Sequence, residues 1–477
     1  MLQLGKNCWR IERANRAAMI VDAAGYFHCA LRAMLKAKQQ IILIGWDFDT
    51  RIILDREPPE PGVPLPVGKL FSWLAKRRPD LKIHILPWDE GMLHVPGRGT
   101  TALRLARWAF DKQIFLKWDG SHPLNGSHHH KILVIDDSIA FCGGIDITAE
   151  RWDTREHRDK EPLRKRPFTH RSYDPWHDAI MAVDGRAARA LGDLARKRWS
   201  IATGQALPVP EVDHDAWPEE LDANFTDVPI AIARTRAQSG EYGEVREVEA
   251  LFIDLVKAAR KTVYIETQYF SSRTVAEAIA ARLQEPSGPE FVVINPREGR
   301  GWLDEGVMGP ARYELLKVLR ERDRHGRFRI YSPVTDRGCD IYVHAKIMIV
   351  DDLLLRVGSA NLNNRSMGLD SECDLLIDAR KSPPAKATIR RIRADLLAEH
   401  LGLKPDECAR ACEEAGSLIE AIEKLRGRGR TLVPLDPEEP PNLQKAMARS
   451  ELLDPEGSGE LFEPRARPGL LSRLGRR

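Results

Sequence analysis

The sequence lacks an unbroken apolar run of about 18 residues, the length that a helix needs to cross a bilayer. Charged residues also interrupt the first 27 residues, where a secretory signal peptide has an apolar centre of about 7 to 15 residues. We therefore expect neither a membrane-spanning helix nor Sec export. The expected location is cytoplasmic with peripheral contact to a membrane, and the alternative is secretion by a route without a cleavable signal peptide.

Cysteine is scarce, with seven dispersed among 477 residues. Several of them lie in apolar runs, which indicates reduced packing residues rather than a disulfide framework. Cys408 and Cys412 are four positions apart, but no second pair nearby completes a zinc site. Excess charge is also small: the net charge of +3 argues against a dedicated nucleic-acid-binding protein and leaves a modest attraction to anionic membranes.

What the sequence does contain is an internal duplication. Residues 33–48, AMLKAKQQIILIGWDF, and residues 254–270, DLVKAARKTVYIETQYF, each place a helical stretch before an apolar run that ends in an aromatic residue. Further along come HHKILVIDDSIAFCGGID from His129 and HAKIMIVDDLLLRVGSAN from His344. The offsets within these last two segments coincide, so one structural unit is repeated.

The alternation of apolar strand-like runs with helical stretches predicts an α/β fold. We expect two homologous α/β/α layered lobes, related by a pseudo-twofold axis and facing each other, with the active site between them. The predicted N-terminal lobe covers residues 1–200 and a Pro-rich connector covers 201–227. The C-terminal lobe covers 228–402, and 403–477 is predicted to be helical and then a charged, flexible tail.

Each repeat carries the pattern H-x-K-x4-D, at His129, Lys131 and Asp136 and again at His344, Lys346 and Asp351. Residues two apart on a strand project from the same face, so each half delivers one imidazole and one ammonium together. Each aspartate lies five positions beyond its lysine, so it does not share the face of the lysine on a strand, and it is the first residue of an Asp-Asp pair between two apolar runs. We assign them a structural role at a hairpin turn.

Small and polar residues follow each hairpin and are candidates for binding a phosphate, because they let backbone amides approach it closely. They are Gly143, Gly144, Asp146, Gly358, Ser359 and Asn361. A third correspondence, HDAIMAVDG with ECDLLIDAR, places Asp178 and Glu372 at the start of apolar strands. These carboxylates are candidates for fixing the tautomers of the two histidines, and either can serve either histidine in a two-lobed site.

These motifs resemble the phospholipase D superfamily, whose duplicated H-x-K-x4-D-x6-G-[GS] pattern both hairpins match. The stretches VYIETQYF, YDPWHDAIMAVDG and NNRSMGLDSECD also look like those of the larger phospholipase D enzymes, so the resemblance covers most of residues 1–402.

The resemblance implies a two-step reaction through a covalent phosphohistidine, with His129 as nucleophile and His344 as acid and then base. The sequence itself does not distinguish these two roles. Lys131 and Lys346 can hold the non-bridging oxygens of the phosphate, so neither a cofactor nor a metal is predicted. Both motifs lie in one chain, so a monomer suffices.

The first functional reading is hydrolysis or transphosphatidylation of glycerophospholipids at a membrane surface, which gives phosphatidic acid and an alcohol. The alternatives are a cardiolipin synthase-type phosphatidyltransferase, a superfamily nuclease and a non-catalytic lipid-binding protein. Synthases of that type commonly carry Asn where this chain has Asp146, and superfamily nucleases are usually short single-motif subunits that dimerise.

Other residues receive structural assignments. Alternation along the strand places His128 and His130 on the opposite face from His129, so we expect them to shape the phosphate pocket as neighbours rather than to form a three-histidine metal site. Residues 151–178, which carry dense charge of both signs, are predicted to be a solvated loop rather than a lid or a membrane-contacting flap. The tryptophans Trp46, Trp152 and Trp176 are predicted to pack in the core rather than to line a lipid site.

Overall fold

The computed structural model describes residues 1–89, 101–123, 125–299, 308–436 and 439. The strands in these ranges are β1 (Arg10–Val21), β2 (Gln40–Gly45), β3 (Lys82–Pro87), β4 (Ile114–Leu116), β5 (Ile132–Ile135), β6 (Ile139–Gly143), β7 (Trp176–His177), β8 (Ala179–Asp184), β9 (Phe225–Arg236), β10 (Val245–Arg246), β11 (Thr262–Glu266), β12 (Glu290–Ile294), β13 (Phe328–Val334), β14 (Tyr342–Val343), β15 (Ile347–Val350), β16 (Leu354–Gly358), β17 (Glu372–Asp378) and β18 (Thr431–Pro434). The helices are α1 (Ala23–Lys36), α2 (Val67–Arg77), α3 (Thr101–Trp108), α4 (Gly185–Thr203), α5 (Glu247–Ala258), α6 (Arg273–Leu283), α7 (Gly309–Arg322), α8 (Asn364–Gly368), α9 (Pro383–Leu401), α10 (Pro405–Ala415) and α11 (Leu418–Leu425). No helix in these ranges is both long and apolar enough to cross a bilayer.

Among the described residues, 16 strands form one mixed sheet. From its centre, the N-terminal half runs in the order β1-β8-β6-β5-β2-β3-β4, and the C-terminal half runs outward in the order β9-β17-β16-β15-β11-β12-β13. The two orders match strand for strand, which is the pseudo-twofold relation that the duplication predicts. The fold class is therefore confirmed as α/β.

The two halves are joined through their first long strands, β1 and β9. These pair antiparallel from Arg10 opposite Ile232 to Ala17 opposite Phe225. The halves therefore lie side by side in one continuous sheet. The two-lobed α/β fold is as expected, and only the expectation that the lobes face each other is corrected, because backbone pairing of two otherwise exposed edge strands fuses the sheets.

Helices cover both faces of the sheet, and the alternation of the strands decides which face each side chain meets. In β2, Ile41 and Leu43 pack in the core beneath α1 and α2, whereas Ile42 and Ile44 pack in the core that contains α4. Both faces are thus buried, which explains why the run QIILIG is apolar throughout.

The connector and the tail have different boundaries in the structure from those predicted from the sequence. Helix α4 continues to Thr203 and β9 begins at Phe225, so 204–224 is the stretch between them. After α9, two helices follow and β18 pairs antiparallel with β13 at the edge of the sheet. The tail is predicted to be flexible beyond about Leu425, and β18 corrects this for residues 431–434, because pairing with β13 orders them. Residues 437, 438 and 440–477 of the predicted flexible tail lie outside the described residues.

The motif aspartates Asp136 and Asp351 occupy the turns of the two hairpins and have left-handed φ values of 51° and 55°. The carboxylate of Asp136 accepts hydrogen bonds from the backbone N–H groups of residues 38–40, at 2.5 to 2.9 Å. That of Asp351 accepts the equivalent set from residues 260–262, at 2.7 to 2.9 Å. Each aspartate therefore ties its hairpin turn to the start of the neighbouring strand, which agrees with a structural role.

We expect Asp136→Ala to lower the free energy of unfolding by about 2 to 3 kcal/mol, because backbone N–H groups lose their acceptor. Chemical denaturation of the purified protein measures this change. Asp80→Ala, which removes an exposed carboxylate after α2, serves as the control and should change the stability by less than about 0.5 kcal/mol. Equal stability of the two variants would contradict the structural role.

Candidate active site

The two motif histidines line one cavity of about 570 Å³. His129 lies just before β5 and His344 just before β15, so each hairpin delivers its histidine from a corresponding position in its own half. Among the described residues, the cavity is also lined by aromatic side chains from both halves, Trp46, Trp88, Trp176, Tyr269 and Tyr342. The fold thus brings the repeated motifs together at one site.

Each histidine is held by a carboxylate from the other half of the chain. Nδ1 of His129 lies 3.1 Å from both carboxylate oxygens of Glu372. Nδ1 of His344 lies 2.6 Å from Oδ2 of Asp178. An Nδ1–H that donates to a carboxylate leaves Nε2 as the nitrogen available for chemistry. The structure therefore pairs the two candidate carboxylates crosswise, a choice that the sequence left open.

The backbone enforces this crossed pairing in the same way at both histidines. The N–H of His344 donates to the carbonyl of His177, which precedes Asp178, at 2.7 Å. The N–H of His129 donates to the carbonyl of Ser371, which precedes Glu372, at 3.0 Å. Each histidine is therefore bound to a short stretch of the opposite half by main chain and side chain together, which restricts its ring orientation.

The motif lysines are anchored beside the histidines. Each Nζ donates to the backbone carbonyl of the histidine in its own motif, for Lys131 at 2.8 Å. Lys131 also lies 3.3 Å from Oδ2 of Asp146, and Lys346 lies 3.4 Å from Oε1 of Gln268. Both ammonium groups are buried, so their charges act at short range in a medium that screens them poorly.

Burial and positive charge together set the ionisation of the site. Burial lowers the pKa of His129 and His344 well below the usual value, and the nearby lysines lower both further. Burial also lowers the pKa of Lys346 to about 7 and raises the pKa of Asp178 to about 7. Without an anionic ligand both imidazoles are neutral, and a bound anion raises the pKa values of the histidines and of Lys346 because it stabilises their charged forms.

The glycines that were candidates for phosphate binding make room for neighbouring strands instead. A Cβ on Gly144 would lie 2.1 Å from Oδ1 of Asp178, and a Cβ on Gly358 would lie 1.9 Å from Oδ1 of Asp374. A Cβ on Gly143 would lie 2.6 Å from Cα of Ile180. Among the described residues these three do not line the cavity, so their assignment to phosphate is corrected: close approach of buried carboxylates and backbone is what requires glycine here.

The polar candidates divide into two groups. Ser359 donates to Oε2 of Glu372 and Ser366 donates to Oε1 at 2.7 Å, so Ser359 supports the carboxylate behind His129 and its assignment to phosphate is also corrected. Asp146 and Asn361 do line the cavity. Asp146 anchors Lys131 rather than a phosphate, since a carboxylate would repel one, whereas the Asn361 amide can donate to a ligand.

The flanking histidines His128 and His130 lie behind the site, away from the cavity. Nδ1 of His128 is 2.6 Å from the hydroxyl of Ser371, and its Nε2 is 3.1 Å from Asp119. The two flanking rings stack with centroids 6.3 Å apart. The expectation that they shape the phosphate pocket is therefore corrected, because alternation turns them into the protein interior.

The sequence reasoning missed several aromatic and polar residues of the cavity. Trp46 and Trp176 line it, contrary to the core-packing prediction, whereas Trp152 lies outside it beneath the guanidinium of Arg56. Trp88 stacks on Trp46 with ring centroids 5.7 Å apart. A usable signal existed: these two tryptophans directly follow the parallel strands β2 and β3, whose carboxyl ends meet at one edge of the sheet.

The segment 151–178 is less solvated than predicted. Arg164 and Asp153 form a buried ion pair at 3.0 Å, and Tyr173 donates to the carbonyl of Trp152 at 2.7 Å. Its start borders the cavity, where the guanidinium of Arg151 lies 4.3 Å from the centroid of the Trp176 ring. The prediction of a solvated loop is corrected for this anchored part of the segment.

Comparison with known proteins gives a consistent set of relatives. A family described as "Cardiolipin synthase, PLD-like domain" matches residues 252–393. Phospholipase D alpha 1 of Carica papaya is 24% identical over 78% of this chain and 63% of its own length. Phospholipase D A of Dictyostelium discoideum is 24% identical over 81% of this chain and 36% of its own. The chain therefore spans less than two thirds of these relatives.

A solved structure shares the fold. Phosphatidylserine synthase of Haemophilus influenzae Rd KW20 superposes with a TM-score of 0.56 at 13% identity, over 87% of this chain and 96% of that one. This likeness supports the α/β architecture of two fused halves.

We expect Lys346→Met to raise the pKa of His344, because the charge of Lys346 is, after burial, the largest influence that lowers it. A pH titration of ¹³C-labelled histidine by NMR measures the pKa. Lys257→Met, which removes an exposed lysine of α5, is the matched control and should leave it unchanged. A His344 pKa that is the same in both variants would contradict the electrostatic account.

Proposed function

Because the chain belongs to the phospholipase D superfamily, we propose that it transfers the phosphatidyl group of a glycerophospholipid to water or to another alcohol through a covalent phosphohistidine. The observation that supports this most directly is the placement of His129 and His344 in one cavity, each with Nδ1 bound to a carboxylate of the opposite half. One neutral imidazole can then attack phosphorus while the other carries a proton for the leaving alcohol.

In the first step, Nε2 of His129 forms a bond to phosphorus as the bond from phosphorus to the head-group oxygen breaks. His344 donates its Nε2 proton to that oxygen, and the alcohol departs. The negative charge of the bound phosphate raises the pKa of His344, so His344 takes up a proton on Nε2 as the substrate binds. Asp178, 2.6 Å from Nδ1, stabilises the imidazolium that carries this proton.

In the second step, His344 is neutral and removes a proton from water as the water oxygen attacks phosphorus. The bond to His129 breaks and phosphatidic acid is released. An alcohol in place of water gives the transfer product by the same route. Lys131 and Lys346 neutralise the non-bridging oxygens through both steps, which is the electrostatic part of the catalysis.

The cavity also favours a lipid over a nucleic acid. Its lining includes five aromatic side chains from both halves and several carboxylates, and the net charge of the chain is only +3. A polyanion requires a continuous basic surface, which such a lining does not supply. One chain furnishes both halves of the site, so we propose a monomer that works at a bilayer surface.

A cardiolipin synthase-type transfer is the second candidate, since the matching family carries that description over residues 252–393. It would use the same covalent step and accept phosphatidylglycerol in place of water. Asp146, where synthases of that type commonly carry Asn, weighs against it. The accepted alcohol separates the two candidates.

We expect wild-type protein to convert phosphatidylcholine vesicles containing ethanol to phosphatidylethanol and phosphatidic acid. His129→Ala and His344→Ala should each lose at least about 1,000-fold in rate, because each removes a reacting group. His28→Ala, which removes a partly exposed histidine of α1, is the control and should retain the wild-type rate. Cleavage of bis-p-nitrophenyl phosphate without any lipid product would contradict the lipid substrate but keep the chemistry.

The segment after Arg151 offers a way for the cavity to meet a bilayer. Phe168 is 66% exposed and Leu163 is 48% exposed. The same segment is tied to the cavity rim, because Arg166 donates at 2.7 Å to Glu150, which lines the cavity. An exposed aromatic residue beside basic residues fits the interface of an anionic bilayer.

We expect Phe168→Ser to lower binding to, and turnover of, vesicles containing phosphatidylserine by about tenfold, through loss of buried apolar area. Turnover of bis-p-nitrophenyl phosphate should not change. Phe110→Ser is the matched control. Phe110 is 89% exposed but lies before the start of β4, whereas the cavity lies beyond the end of β3, which runs parallel to β4. Equal vesicle binding by both variants would contradict membrane contact through this segment.

A further inference from the structure

A second cluster of titratable side chains lies in the interior, outside the cavity lining. It consists of two histidines and two carboxylates from three distant parts of the chain, and we call it the buried histidine cluster: Asp22, His157, His177 and Glu399. All four side chains are buried. The reaction proposed above uses none of them.

One nitrogen of each histidine and one oxygen of each carboxylate converge. Oε1 of Glu399 lies 2.7 Å from Nδ1 of His177 and 3.1 Å from Nε2 of His157. The oxygens of Asp22 lie 3.4 Å from Nδ1 of His177 and 3.5 Å from Nε2 of His157. Four ligands about 2.0 Å from a tetrahedral zinc ion are separated from one another by roughly 3.3 Å. The four separations between a histidine nitrogen and a carboxylate oxygen lie on either side of this value, and the four ligand atoms all lie within 4.8 Å of one another.

The other nitrogen of each ring is already bound to a further carboxylate. Nδ1 of His157 is 3.0 Å from Asp153, and Nε2 of His177 is 2.7 Å from Glu266. Histidines that bind a metal usually donate their second ring N–H to a carboxylate, which orients the ring and makes the metal-binding nitrogen more basic. Both histidines of the cluster have this arrangement.

The charges and one unpaired oxygen also point to a cation. The cluster and the two outer carboxylates bring four negative charges into the interior. Arg155 and Arg164 supply two positive ones by pairing with Glu399 and Asp153, and Arg155 also pairs at 2.8 Å with the half-buried Asp395. A divalent ion balances the remainder while leaving both imidazoles neutral, as metal ligands must be. Oδ2 of Asp22, a residue only 1% exposed, accepts no hydrogen bond and has only the 3.5 Å ion-pair contact with Nε2 of His157. A buried carboxylate oxygen without a hydrogen bond indicates a missing ligand.

We propose that the buried histidine cluster binds one zinc ion as a closed structural site. Two imidazole nitrogens and two carboxylate oxygens are a ligand set that zinc accepts, and four protein ligands leave no position for water or substrate. The ion stays apart from the reacting phosphate, so the chemistry assigned to His129 and His344 is unchanged.

The location gives the ion a role in ordering the active site. The backbone N–H of Asp22 donates to the carbonyl of Asp178 at 2.8 Å, and the N–H of Asp178 donates to Oδ1 of Asp22 at 3.1 Å. His177 directly precedes Asp178 and accepts the N–H of His344. Two ligands of the ion therefore hold the segment that carries the carboxylate partner of His344.

The test measures the zinc content of protein expressed in zinc-supplemented medium and purified through a tag without histidines. We expect about one zinc per chain in wild type and less than about 0.1 in His157→Gln or Glu399→Gln. His28→Gln should keep the wild-type content. Cobalt-substituted protein should show the intense visible absorption of a tetrahedral site. These readouts do not depend on which substrate the enzyme accepts.

A second measurement uses wild-type protein only and therefore does not require the variants to fold. Wild type stripped with a chelator should unfold at a temperature at least about 3 °C lower, and added zinc should restore it, because an ion that binds the native state stabilises it. Two results would overturn the proposal: zinc content equal in wild type and His157→Gln, or a wild-type unfolding temperature that neither chelator nor zinc changes. Either would mean that protonated histidines alone balance the carboxylates.

Discussion

The hydrogen bonds from the two motif imidazoles to carboxylates of the opposite half are the interaction on which the rest of the site depends. His129 meets Glu372 and His344 meets Asp178, and backbone hydrogen bonds to the preceding residues hold both pairs in register. A half alone would present an imidazole without its partner. The antiparallel pairing of β1 with β9 is what keeps the halves close enough for this exchange.

Burial explains the electrostatics of the site. Burial lowers the pKa values of both imidazoles and of Lys346, so their charged forms are disfavoured until an anion binds. In the proposed reaction, a phosphodiester supplies that anion and thereby creates the protonation state that its own cleavage requires. The glycines after each hairpin serve the same arrangement, because Gly144 lets the Asp178 carboxylate approach the neighbouring strand.

The sequence predicted those features that the duplication repeats. Two copies of a pattern at matched offsets identified the histidines, the lysines, the hairpin aspartates and both carboxylates, since residues that recur in register occupy equivalent positions. The fusion of the halves into one sheet was not predictable, because β1 and β9 are separated by some 200 positions and carry no signal of which edge they choose. The aromatic lining and the buried histidine cluster were missed for the same reason: His157, His177 and Glu399 are adjacent only after folding.

The most direct test of the two-histidine account is to locate the covalent intermediate. Phosphatidyl-p-nitrophenol has a leaving group that needs no proton, so His344→Asn should form the intermediate but fail to hydrolyse it. Mass spectrometry of base-quenched, digested protein should then find the phosphatidyl group on His129 at about one per chain. Absence of label there, together with label on His344 in His129→Asn, would contradict the account.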